Sequence, residues 1–194
     1  MDFNLATHLT LLRIALIPVL AVTFYLPFAG ARVVCAIIFT VAAITDWLDG
    51  YLARKLDQTT VFGAFLDPVA DKLMVAVTLV LIVQADPSPW LAVAAAIIIG
   101  REITIASLRE WMAEIGQRAK VKVSPLGKYK TSAQMVAIIV LLLGFDVEQP
   151  MFRNLGYLLL YLSAGLTLWS MIQYLAAALP LLLENDRGAG SGSA

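Results

Sequence analysis

The sequence predicts an all-α integral membrane protein, a bundle of six transmembrane helices with both termini on the cytoplasmic side. Of its 194 residues 60% are hydrophobic and only 14% charged, with a mean hydropathy of +0.83. A soluble domain is nearer half apolar and a quarter charged, so this make-up calls for lipid. Six stretches carry no formal charge: 14–31, 33–45, 73–85, 87–100, 131–145 and 155–183. Backbone inside a bilayer must satisfy its own hydrogen bonds, so these runs are helices.

A helix needs roughly 20 residues at about 1.5 Å rise to cross the hydrocarbon core. Several runs are shorter and must extend through charged flanks, giving helices near 9–28, 32–56, 66–85, 89–115, 128–145 and 152–184. Before the first, "MDFNLATHLTLL" is compatible with a short interfacial helix of weak amphipathicity. It lacks the basic start and small-residue cleavage site of a secretory signal. "LPFAGA" ends the first helix, "ADPSPW" divides the third from the fourth, and "GFDVEQP" divides the fifth from the sixth, each with Pro or Gly as breaker. Pro18 and Pro180 fall inside apolar runs, where they would kink helices without ending them. The tail "GAGSGSA" (188–194) reads as a flexible expression remnant, leaving one membrane domain over 1–187.

Charge sets the orientation. Arg54, Lys55 and Lys72 flank the second connection, and Arg109, Arg118, Lys120, Lys122, Lys128 and Lys130 surround the fourth. The positive-inside rule puts those two connections in the cytoplasm and the termini with them. A net charge of zero and a pI near 6.6 favour no nucleic-acid partner. The single Cys35 excludes an internal disulfide and a cysteine-based metal cluster.

Against this apolar background one constellation stands out. Asp46 and Asp49 are three apart and share a helix face with Gly50 and Ala53 beside them. After a short connection come Gly63, Asp67 and Asp71, the last two four apart. Pro68 suits the first turn of a helix, with Asp67 as its cap. An antiparallel pairing of these helices would gather four carboxylates near the cytoplasmic surface, where they would repel one another unless a cation lay between them. Hard divalent ions such as Mg²⁺ or Mn²⁺ take such all-oxygen ligand sets. Ion pairs with Arg54, Lys55 and Lys72 would account for single aspartates but not for all four. Ionisable groups in membrane helices are costly and point to function.

The string "DWLDGYLARKLDQTTVFGAFLDPVAD" (46–71) reads D-x2-D-G-x2-A-R-x8-G-x3-D-x3-D. It resembles, without departure, the signature of the CDP-alcohol phosphotransferases. That resemblance implies two divalent cations, Mg²⁺ or Mn²⁺, held by Asp46, Asp49, Asp67 and Asp71, with Asp71 also the catalytic general base. It assigns the CDP moiety to Gly50, Ala53, Arg54 and Gly63: small residues where the nucleotide approaches the helix, and a guanidinium for phosphate oxygens. It also implies a homodimer.

The signature does not select the acceptor alcohol. Arg101 interrupts the fourth helix, where facing lipid would cost at least about 2.5 kcal/mol; Glu102 could pair with it. Lys128 and Lys130 open the fifth helix, and Thr10 and Arg13 enter the first from the same side. Cations gathered at one cytoplasmic cavity suit an acceptor that carries its own phosphate. The segments "FNLATHLTLLRIALIP", "GREITIASLREWMAE" and "GKYKTSAQMVA" resemble the bacterial phosphatidylglycerophosphate synthases of that family. This implies CDP-diacylglycerol as donor, glycerol 3-phosphate as acceptor and the bacterial inner membrane as location, with inositol phosphate the alternative acceptor. Ala6 departs from the proline that these relatives often carry at the interfacial entry. His8 could touch the acceptor phosphate or simply sit at headgroup level. A rival from another class is a cation transporter, which would need carboxylates near mid-membrane and a route to both faces. A non-catalytic scaffold would not need all four aspartates.

Overall fold

The computed structural model describes residues 5–56, 61–114, 126–146 and 150–190. These form six α-helices: α1 (Leu5–Tyr25), α2 (Ala31–Leu56), α3 (Val61–Ala85), α4 (Pro89–Glu114), α5 (Leu126–Asp146) and α6 (Pro150–Gly190). The described residues hold no strand. Three helices are long and apolar enough, by length and composition, to cross a membrane: Thr7–Tyr25, Pro89–Glu114 and Pro150–Leu179. Residues 131–146 add a shorter apolar helix.

Three boundaries differ from the sequence reading. α1 runs unbroken from Leu5, so the amphipathic entry is the start of the span and no separate helix precedes it among the described residues. Ala6 lies within this first turn. α3 starts at Val61, which puts Pro68 seven residues inside the helix. Asp67 therefore does not cap a helix; it lies mid-helix, with Gly63 and Asp71 one turn to either side. Pro68 has no N–H for the Ala64 carbonyl, a loss that packed membrane helices tolerate. α6 runs to Gly190, three residues into the segment read as a flexible tail.

α1 packs against α2 and α3, α5 against α2 and α6, and α4 against α3 and α6. The core between them is aliphatic, with Leu20, Phe39, Leu79, Ile82, Leu91, Ile98, Ile138, Leu141 and Leu160 all at 1% exposure or less. On α4 the buried residues Leu91, Ala94, Ile98, Ile105, Leu108 and Met112 follow an alternating three-four spacing, the pattern of helices packed side by side along their length. Arg101 falls on this stripe between Ile98 and Ile105. Its lower end forms a second small core with Met171, Tyr174 and Ala178 of α6.

Two tight joints fix the end of the bundle farther from the aspartates. Gly30 has φ of +88°, a left-handed turn that lets α2 start directly after α1. Asp146, the last residue of α5, accepts hydrogen bonds from the Arg32 and Val33 amides at 2.9 and 3.2 Å, so one helix end caps the start of another. The Arg32 guanidinium lies between the Phe24 and Phe145 rings, 5.5 and 5.3 Å from their centroids. Beyond Asp86 and Ser88, Pro89 opens α4 at a position where its missing N–H is harmless. The Tyr157 hydroxyl donates to Asp86, tying that turn to α6.

Candidate active site

At about 1.5 Å per residue, Arg13 lies about 18 Å along α1 from Tyr25 and Asp46 about 22 Å along α2 from Ala31. By the same count Asp71 lies about 21 Å from Ala85 on α3, and Arg101 about 18 Å from Pro89 on α4. All four helix ends used as origin belong to the joints just described. The charged groups thus share one level of the bundle, away from those joints.

At this level three carboxylates converge on one guanidinium. Arg13 Nη1 donates to Asp46 Oδ1 at 2.8 Å and also to Asp71 Oδ1, while Nη2 donates to Asp67 Oδ1 at 2.5 Å. The Thr10 hydroxyl donates to the same Asp67 oxygen at 2.8 Å. Thr10 and Arg13 were grouped from sequence with the acceptor phosphate; the structure gives both a carboxylate partner. Their i, i+3 spacing on α1 was the available signal, but the partner was not readable from one helix alone. Arg13 is 2% exposed, whereas the three aspartate side chains are 37–38% exposed. The guanidinium is therefore covered and the carboxylates are partly open.

Beneath Asp46 and Asp71 lies a crevice of about 10 Å³, lined by Phe39, Ala42, Ala43, Met74 and Met135. Phe39 and Met74 are buried. This apolar floor was not anticipated from the sequence. Gly63 lies one turn before Asp67 on the same face of α3. Asp49, Gly50, Ala53 and Arg54 continue α2 beyond Asp46, and Lys128 and Lys130 stand in the first turns of α5; their side chains lie outside the described set. Arg101 donates to Glu102, and its side chain is 13% exposed, so it faces the bundle and not lipid.

The donor set suits a hard divalent cation. It is all oxygen, and among the described residues three carboxylates meet one guanidinium. As the side chains stand, no group of three or more His, Cys, Asp or Glu among the described residues is placed to hold a metal ion. Asp46, Asp67 and Asp71 are instead held by Arg13.

Residues 3–169 match the CDP-alcohol phosphatidyltransferase family. The chain belongs to that family. Its relatives include the CDP-diacylglycerol–glycerol-3-phosphate 3-phosphatidyltransferase of Pectobacterium atrosepticum, 55% identical over 184 residues, which are 95% of this chain and the whole of the relative. Proteins of the same name from Yersinia pestis (strain Pestoides F) and Salmonella choleraesuis (strain SC-B67) are 56% and 54% identical, each over 95% of this chain and the whole of the relative. In this CDP-alcohol phosphatidyltransferase the matched segment contains the whole signature, from Asp46 to Asp71. Three of its four aspartates are the carboxylates gathered around Arg13.

Proposed function

We propose that the protein transfers the phosphatidyl group of CDP-diacylglycerol to glycerol 3-phosphate, giving phosphatidylglycerol phosphate and CMP. The observation that carries this reading is the end-to-end similarity, at about 55% identity, to relatives named for that reaction. The carboxylate cluster on α2 and α3 supports it, because it gathers the family's signature residues at one level of the bundle.

In this reading Asp46, Asp49, Asp67 and Asp71 would hold two divalent cations, Mg²⁺ or Mn²⁺. When bound, these supply charge neutralisation to the diphosphate in a phosphoryl transfer. Asp71 accepts the proton of the acceptor hydroxyl as that oxygen attacks the phosphorus bearing the lipid. The phosphorus–oxygen bond to CMP breaks, and CMP leaves as a phosphate anion, which needs no separate acid. Arg54 meets the diphosphate, and Gly50, Ala53 and Gly63 leave room for the nucleotide. Arg101, Lys128 and Lys130 serve the acceptor phosphate.

The site faces the cytoplasm of the bacterial inner membrane, where the polar acceptor arrives from water and the donor from the bilayer. All six helices span the membrane, and the protein works as a homodimer, as its family kinship implies. Transport of the cation across the membrane is disfavoured, because Phe39, Met74 and Met135 line the crevice beneath the cluster, which has room for about one water. CMP release from purified protein, CDP-diacylglycerol, Mg²⁺ and a panel of acceptors tests the reading. Release with inositol phosphate or serine alone would replace the acceptor while keeping the chemistry.

A further inference from the structure

We infer that Arg13 is a positioning residue that holds Asp46, Asp67 and Asp71 in the arrangement from which they bind divalent cations. The inference rests on the metal reading proposed above. Arg13 belongs to a buried stripe of α1 that also contains Thr7, Thr10, Leu20 and Phe24, so its backbone is anchored in the bundle. Its two terminal nitrogens reach carboxylates on two other helices. A planar guanidinium does this with a fixed fork of donors, which a lysine ammonium lacks.

Three features place Arg13 behind the carboxylates and not in front of them. The guanidinium is 2% exposed while its three partners are 37–38% exposed, so solvent and ions meet the carboxylates first. These bonds to the three carboxylates all fall on Oδ1, so the guanidinium meets each of them on the same atom. The crevice beneath Asp46 and Asp71 offers about 10 Å³, room for about one water and not for a cation with its hydration shell. A hydrated cation therefore approaches from the open side. Hydrogen bonds that orient metal-ligating groups from behind are a general feature of metal sites, and their loss typically costs about 10- to 100-fold in affinity.

Charge alone argues the other way. A positive group beside a metal site repels the metal, so deleting Arg13 should tighten binding if electrostatics were its whole effect. Three like-charged carboxylates released from their common partner would also spread apart, and that loosens binding. The sign of the change separates the two.

Mn²⁺ binding to the full-length protein in lipid nanodiscs, without substrate, can be titrated by the electron paramagnetic resonance of the free ion. Arg13→Lys keeps the charge but not the fork, and Arg13→Gln removes both. The expected result is a Kd for Mn²⁺ that rises about 10- to 100-fold in both variants. Unchanged or tighter binding in Arg13→Gln would overturn the inference and make Arg13 a competitor of the metal. Absence of Mn²⁺ binding by the unaltered protein would sink the metal reading itself, and this inference with it. A measurement without variants guards against misfolding: phenylglyoxal modification of the unaltered protein, mapped by mass spectrometry. Arg13 should stay protected when Mg²⁺ saturates the site, and modification that rises on adding Mg²⁺ would contradict its place behind the ligands.

Discussion

Asp71 carries the heaviest demand of any single residue, since the proposed chemistry uses it both as metal ligand and as base. Asp71→Asn keeps the shape but cannot take a proton. Turnover should fall below detection while binding of CDP-diacylglycerol, measured by calorimetry in nanodiscs, stays measurable; near-normal turnover would remove Asp71 from the base role. The four aspartates were legible in the sequence because charge in a membrane helix is expensive and their spacing is specific. Arg13 was legible as a cation at the entry of the first helix but not as their partner, because α1 meets α2 and α3 only in the folded bundle. The capping role given to Asp67 failed for a local reason. Pro68 reads as a helix start in isolation, yet the packed helix carries it mid-span.

Among the described elements, α5 and α6 share the most extensive contact. A Cβ at Gly156 would stand 2.7 Å from Leu141 Cγ and 3.1 Å from the Leu141 backbone nitrogen, so the glycine lets the two helices touch. Gly156→Val should destabilise the protein by about 1–3 kcal/mol, the range for overpacking a tight contact, read as a lower midpoint of thermal unfolding in detergent. Asp146 joins α5 to the start of α2 through two backbone amides. Asp146→Ala should cost about 0.5–2 kcal/mol as a lost cap, with the turnover of the folded fraction unchanged. Wild-type stability in either variant would show that these joints do not hold the bundle. The helices themselves were readable from apolar runs and breakers, to within a few residues at most ends. Close helix contact was not, since it depends on which glycine meets which neighbour.

At the scale of the whole molecule, Arg13 and its carboxylates share one level of an apolar bundle, nearer one end than the other. The positive-inside rule gives the orientation to be tested. In a Cys35→Ala background, an impermeant maleimide applied from the periplasmic side should label Ala29→Cys, in the exposed turn between α1 and α2. It should reach Glu114→Cys, at the end of α4, only after the membrane is permeabilised. The reverse pattern would invert the topology. Composition and charge sufficed to predict the helical membrane class. The acceptor was legible only by resemblance, because Lys128 and Lys130 state a preference for phosphate without naming its carrier. The most direct test of the account is therefore CMP release by the purified protein with CDP-diacylglycerol, Mg²⁺ and one acceptor at a time. Release is expected with glycerol 3-phosphate and none above background with inositol phosphate or serine; release with either of those and not with glycerol 3-phosphate would overturn the proposed acceptor.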